Sequence, residues 1–501
     1  MNLSRIIISI SFIAVTCIYN NAEAKFDFNK NCINAYTNVI NLNFQEGKRL
    51  LNIEKTINPQ NDIPLLIENY IDFLTLLIGE NNNEFKVLKK NKELRLDKLD
   101  KGDKSSPYYL YSKAQINLQW SFARMKYDEF VTSAMEIRKA YILTEDNAKK
   151  FPNFIPNKMM HGLLHVLIGS IPDKFKWMIN LAGFSGSIKQ GTNEMEYILK
   201  ATEGNSQFSY IHSEVVFLLS FMSMNIINEN EENTKTIYDI VKTDKNTGPL
   251  ISFGKASLAM RKGLNDDAIR ILTNRIDNPN AYPFNFLEFM LGSAYLNKLN
   301  IEAIQHFENF VTKFKGKNFI KAAYQRIAWC YLLNNNTAKY NEYIKKVKLY
   351  GYTEIDEDKN AQKEAESGNI PNVYLLKGRL LFDGGYYKKS LDALTEKKPN
   401  EVYKAKKDMI EFTYRLGRIY HKLDNNEKAI NYYKLTLTIG SYSPYYFAAN
   451  SALQLGLIYE KQKDNKTAKI YFEKCLSLNN YEYKYSIEQK AKAGLDRIKN
   501  N

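Results

Sequence analysis

The sequence predicts an all-α protein, an α-solenoid of antiparallel helix pairs preceded by a more irregular helical part. Three observations carry this prediction. The first is repetition inside the chain: Leu416, Gly417, Tyr420, Ala429 and Tyr433 recur as Leu455, Gly456, Tyr459, Ala468 and Phe472, so that Gly417 and Gly456 stand 39 residues apart. A fixed period of a few tens of residues marks stacked supersecondary units, none of which can bury its apolar face alone. The second is punctuation: 12 Pro and 23 Gly in 501 residues are too few for a turn-rich β fold. The third is the supply of 35 Tyr and 27 Phe, bulky side chains suited to filling the gaps between paired helices.

Length excludes a single hydrophobic core, so an elongated array or several subdomains are expected. The net charge is +15, and residues 1–24, with one Arg and one Glu, contribute nothing to it. Basic residues alternate with acidic ones rather than forming a stripe, and Lys, Asn, Ile and Tyr dominate as they do where codons are AT-rich. The composition therefore argues against nucleic acid as a ligand.

Taken in order, residues 1–24 read as a signal peptide. Met1 to Arg5 is a short basic region, Ile6 to Val15 an apolar one, and Ala22-Glu23-Ala24 a cleavage site. The apolar run is too short to span a bilayer. The expectation is export to the periplasm or the outer membrane, with cleavage after Ala24 and no transmembrane span in the mature chain. Lipid attachment at Cys17 is the rival, and Thr16 before it fits that processing poorly. The remaining Cys32, Cys330 and Cys475 are an odd, scattered set, expected as buried free thiols.

Residues 25–200 are expected to form an N-terminal helical domain. Ala35–Phe44 and Gly47–Thr56 make a first pair. Ile63–Ile78 is apolar yet carries Glu68, Asn69 and Asp72, which marks a core helix. Lys86–Lys104 mixes charge with a narrow apolar face and reads as a solvated helix laced with i,i+4 pairs. Ser106-Pro107 is a helix start, with Ser106 as N-cap and Pro107 at the first helical position. Helices over Tyr108–Lys126 and Glu129–Asp146 follow.

Residues 201–350 are expected to hold degenerate helical repeats, 351–371 a linker, and 372–501 regular repeats. The small residue at which paired helices cross traces this series. Ala256, Gly292 and Ala328 are 36 apart, and Gly378, Gly417 and Gly456 are 39 apart. The step from Ala328 to Gly378 is 50, which places an insertion there. Ala268, Ser390, Ala429 and Ala468 recur twelve residues after their partners, whereas Ala303 comes one residue early. The expectation is that each Gly or Ala faces the small residue of the second helix while Tyr and Phe fill the flanks.

This pattern of Gly417, Tyr420, Ala429 and Tyr433 resembles the tetratricopeptide repeat, a helix-turn-helix unit. The resemblance implies a protein or peptide partner and a concave groove lined by the first helix of each unit. Mapped onto this chain, it puts Arg379, Phe382, Tyr414, Arg418, His421 and Lys422 on the groove, with Leu453, Leu457 and Glu460 on the matching face of the next unit. Between His161 and Leu199, the order Ser170-Ile-Pro, Gly183-Phe-x-Gly186 and Gly191 resembles the inclusion-body-clearance and tetratricopeptide-repeat-39-like family. That resemblance implies a helical adaptor with no assigned chemistry.

No catalytic constellation emerges, and no cofactor or metal is expected. His161 and His165 stand one helical turn apart, but residue 162 is Gly where a zinc protease needs its general base. Gly183 to Gly191 follows a helix and lacks both nucleotide fingerprints. The sequence thus reads as a non-enzymatic scaffold. Its rivals are a glycan-binding outer-membrane lipoprotein, which would need acylated Cys17 and an aromatic platform from only 3 Trp, and a metalloenzyme built on His161 and His165.

Overall fold

A computed structural model describes residues 25–171, 183–204, 206–225, 237–276, 278–479 and 481–499. Residues 1–24, which contain the expected signal peptide and Cys17, lie outside them, as does Pro172 with the rest of 172–182. Within the described residues every regular element is a helix, so the chain is all-α.

The N-terminal part contains Lys30–Ile40, Phe44–Ile57, Ile63–Gly79, Asn82–Leu99, Pro107–Lys126, Phe130–Lys150, Pro156–Gly169, Ile188–Ala201 and His212–Asn225. The Ser106 hydroxyl accepts from the Tyr108 amide at 3.2 Å, with Pro107 opening the helix. Polar hubs organise this region. The carboxylate of Glu54, fully buried, accepts from the side-chain amides of Asn29, Asn31, Asn58 and Asn61 at 2.7–3.1 Å. Burial pushes this carboxyl up, but the four amides win and hold it below the ordinary range.

Asn82–Leu99 corrects the expectation of a solvated helix. Its Lys92 Nζ lies 2.8 Å from Glu136, and its Arg95 Nη1 2.7 Å from Asp72, all four side chains buried. Arg124 Nε shares the same Glu136 oxygen at 2.8 Å. The charges therefore pair between helices rather than along one. This also explains the polar residues of Ile63–Gly79. Asn69 and Asp72 face Arg95, and Asn69 further accepts from Trp120 Nε1 at 2.9 Å and donates to Gln119 at 2.8 Å.

From Pro249 onward the helices pair: Pro249–Arg261 with Asn265–Thr273, Phe286–Asn297 with Ala303–Lys313, and Ile320–Leu333 with Thr337–Leu349. A second series follows: Val373–Asp383 with Tyr387–Thr395, Lys406–Lys422 with Asn426–Gly440, and Phe447–Lys461 with Asn465–Ser477, closed by Lys484–Lys499. The crossings refine the expectation. Each glycine forms a hole for the bulky side chain four residues after the small residue of the second helix, and in the Gly378 unit that small residue, Ser390, also donates to the Gly378 carbonyl at 2.6 Å. A Cβ at Gly292, Gly378, Gly417 or Gly456 would fall 2.5–3.0 Å from Phe307, Leu394, Tyr433 or Phe472, respectively. Ala429 and Ala468, one turn earlier, are fully buried and let the helix close enough to insert that side chain. Ala256 and Ala328 are likewise fully buried on their helices. Phe472 is gripped twice, since a Cβ at Gly494 of the last helix would fall 2.5 Å from the Cζ at the end of its ring.

The stretch expected as a linker, 351–371, contains a further helix, Asp356–Ser367, packed on both helices of the preceding pair through Ala361 and Ala365. Its Asp358 accepts from the amides of Phe319 and Ala322 at 2.6 and 2.9 Å. It thereby caps Ile320–Leu333 from outside, where that helix has no side-chain cap of its own. Beyond it the chain doubles back. Val373–Asp383 packs on Phe286–Asn297 and Ile320–Leu333, and its Leu376 and Leu380 join the core of Phe289, Phe307 and Trp329. The 50-residue step is thus a change of direction rather than a longer loop. At the turn, Gly385 (φ +80°) and Gly263 (φ +71°) touch backbone to backbone, with room for neither to carry a Cβ. Tyr386 fixes the contact by accepting from Asn265 at 3.1 Å and donating to Asp266 at 2.9 Å.

Candidate functional site

Where the two series pack together stands a row of arginines, each with its guanidinium over an aromatic ring of a neighbouring helix. Arg326 lies 4.4 Å from the Phe289 ring centroid, Arg379 4.5 Å from that of Trp329, and Arg418 4.2 Å from that of Phe382. The stacks join Ile320–Leu333 to Phe286–Asn297, Val373–Asp383 to Ile320–Leu333, and Lys406–Lys422 to Val373–Asp383. Ring contact uses the face of a guanidinium and leaves its N–H edge for an acceptor. Burial lowers Arg326 to about 10, against the pull of Glu357 and with the repulsion of Arg379. Its Nη1 is shut off from solvent without a hydrogen-bond partner.

Acids stand among these bases. Glu364 of the Asp356–Ser367 helix accepts from Gln325 Nε2 and Trp329 Nε1, both at 2.8 Å, which fixes the ring under Arg379. Burial raises this carboxyl, and the Trp329 bond and Arg379 oppose it. Glu411 binds Arg415 through Nε at 2.8 Å. Burial works against its charge, yet Arg415 and Arg379 hold it below the usual range. Asp383 is exposed at the edge of the row.

Of the residues expected on the groove, Arg379, Phe382 and Arg418 come together here. Tyr414 does not face it: at 2 % exposure it packs against Phe447 and Tyr433, and the Arg418 guanidinium is 6.0 Å away. The next unit covers this ring, which the first helix alone would leave bare. His421 stands edge-on to Tyr433, and Lys422 is exposed at the helix end. Leu453 is buried, and Glu460 is taken by Arg497 at 2.7 and 2.8 Å. Arg326 was not anticipated. Arg326 stands two residues before Ala328, whereas Arg379 and Arg418 each stand one residue after their glycine, so repeat position alone does not mark it.

His161 and His165 have a structural setting. Their rings stack at 5.3 Å, and each meets its own carboxylate, Glu145 at 3.1 Å and Glu194 at 2.7 Å. Burial lowers His161. No group of three or more His, Cys, Asp or Glu among the described residues is placed to hold a metal ion. The glycines beside the histidines are packing devices. A Cβ at Gly186 would lie 2.8 Å from His165 Cα, and one at Gly191 2.7 Å from Val166 Cγ2. Cys32, Cys330 and Cys475 are buried and unbridged, and burial pushes the Cys330 and Cys475 thiols up to about 12. No described helix is long and apolar enough to cross a membrane.

A second buried hub lies in the N-terminal part. Glu214 receives Tyr36 and Tyr70 hydroxyls and Gln115 Nε2. It borders a cavity of about 60 Å³ otherwise lined by Ile40, Phe73, Phe122 and Phe217 among other apolar groups. Burial raises this carboxyl to about 7, against its hydrogen-bond donors.

Residues 408–480 match the tetratricopeptide repeat family. These residues span most of the second array's last two pairs, so the chain carries tetratricopeptide repeats at its C-terminal end. A search of curated proteins found no match. Among solved structures, a monomeric IFIT1 mutant with Gppp-AAAA is similar at 10 % identity over 95 % of this chain and 98 % of that one, with a TM-score of 0.28. The APC/C hetero-tetramer Cut9–Hcn1 is similar at 12 % identity over 93 % and 97 %, with a TM-score of 0.21. At such scores neither superposition bears on what this chain binds.

Proposed function

We propose that this chain is an exported, non-enzymatic scaffold that binds a protein partner in the periplasm or at the outer membrane, through the face bearing Arg379 and Arg418. The observation that carries this reading is a pair of guanidiniums set over rings, Arg418 within the residues that match the tetratricopeptide repeat family and Arg379 on the helix packed beside them. Rings hold these groups in place before any ligand arrives, and preorganised arginine is a recurrent centre of binding energy. Export is supported by the basic, apolar and A-x-A order of residues 1–24. Kinship with the inclusion-body-clearance family is proposed on Ser170, Gly183, Phe184, Gly186 and Gly191 alone.

Crosslinking in the native cell followed by mass spectrometry tests the function. A partner captured by the wild type is expected to be lost from the Arg379→Glu/Arg418→Glu double variant, and undiminished capture refutes the face. The mature N-terminus tests the compartment: Lys25 as first residue supports soluble export, and an acylated Cys17 overturns it in favour of a membrane-anchored lipoprotein.

A further inference from the structure

We infer that the partner presents an acidic stretch of polypeptide, and that it is received in the seam where the second array packs back on the first, by Arg326, Arg379 and Arg418 together. The inference rests on the scaffold reading above and adds the site's extent and the ligand's chemistry.

The first observation is a contrast among arginines. Where this chain buries arginine elsewhere, it supplies a carboxylate: Asp72 for Arg95, Glu136 for Arg124, Glu411 for Arg415. Arg326, Arg379 and Arg418 each have an aromatic face instead, and no described carboxylate lies within 4 Å of them. Glu364 and Glu411 act on Arg379, and Asp383 on Arg326 and Arg418, only through space, so no described carboxylate takes the N–H edge of any of the three. The second observation is independent of charge counting: Arg326 Nη1 is sealed from water with nothing to donate to. Buried donors are nearly always satisfied, so this one leaves a place for an acceptor.

The third observation selects the ligand. The arginines alternate with acids: Glu364, held by Trp329, under Arg379, Glu411 on Arg415, and the exposed Asp383 at the rim. Asp383 acts electrostatically on Arg326, Arg415 and Arg418. A nucleic-acid backbone, with a charge at every step, would meet these carboxylates as well as the arginines. Polypeptide carboxylates separated by neutral residues can address the guanidinium edges and skip the acids, in the bidentate geometry that suits them. The arrangement also differs from a groove along one open array, because Arg326 belongs to the first series of pairs and Arg379 and Arg418 to the second.

Panning a phage-displayed random dodecapeptide library on the full chain tests this. The expected result is enrichment of Asp and Glu, with synthetic versions of the selected peptides binding about tenfold more weakly to Arg326→Gln and to Arg379→Gln. Arg49→Gln, an exposed side chain on Phe44–Ile57 in the N-terminal part, should leave binding unchanged. Arg379→Lys keeps charge over Trp329 but loses the fork, so intermediate weakening is expected; circular dichroism on each variant confirms that the fold is retained. Selected peptides without acidic bias, bound regardless of the arginines, overturn the inference while leaving a protein-binding scaffold. Retention of no peptide above background overturns the scaffold reading beneath it as well. Tighter binding of oligouridylate RNA than of any selected peptide, with competition between them, overturns the choice of ligand.

Discussion

The two ends of this molecule are both helical, yet they are specified differently. The N-terminal part is tied together by buried polar hubs whose members are far apart in sequence: Tyr36 and Tyr70 reach Glu214, and Lys92 and Arg124 share Glu136. The C-terminal repeats are joined by steric insertion between neighbours, Tyr433 at Gly417 and Phe472 at Gly456. A hub fails for every helix it joins when one member is lost. A knob and its hole concern one crossing, and the fault stays near it.

Glu136→Ala sharpens this contrast most. It leaves Lys92 and Arg124 without their shared carboxylate, and breaking a buried pair in this way costs about 3–5 kcal/mol. Urea denaturation should show the loss, and hydrogen exchange should show it spread over Asn82–Leu99, Pro107–Lys126 and Phe130–Lys150 together. Gly417→Leu should cost about 1–3 kcal/mol by overpacking against Tyr433. It is expected to lower the melting temperature without abolishing the helical circular-dichroism signal; complete loss of helicity would break the picture of a modular array.

Glu214 adds a dependence on pH. Its carboxyl titrates at about 7 in the fold, above its unfolded value of about 4.3. The native state therefore binds the proton more tightly. The stabilisation from this group is fully present below the unfolded value and is lost as pH rises through about 7. Glu214→Gln should flatten that part of the melting-temperature profile between pH 4 and 8, and a profile unchanged in slope would remove Glu214 as its source. The smallest expected effect is Ser106→Ala, about 1 kcal/mol for a lost N-cap, read by the same denaturation assay.

The fold class was legible because repetition is written in residue identity: Gly417 and Gly456 repeat with their aromatic and alanine companions. The start at Ser106-Pro107 was legible for a local reason, the chemistry of a cap. The partners of the glycines were not, because spacing marks which residues are small but not where the opposite Cβ vectors point. Arg379 and Arg418 could be placed on one face by counting from Gly378 and Gly417. The burial of Tyr414 depends on Phe447 in the next unit, and the role of Arg326 depends on the chain reversing after Ser367. Both are tertiary facts with no local sequence signal. Lys92 and Arg95 were misjudged for the same reason, since a charge destined for a partner on another helix looks in sequence like one destined for water.

The Gly263–Gly385 contact has a bearing on how this protein could change over time. An open array tolerates gain or loss of a unit, because its ends are free. Here the two series meet at that glycine pair, and again where Lys363 and Asn360 engage Glu482 and Tyr483. A duplicated 39-residue unit placed between Gly440 and Phe447 would carry Glu482 and Tyr483 away from their partners. Repeat number in this chain is therefore fixed by closure, and diversification is left to side chains in the seam between the two series.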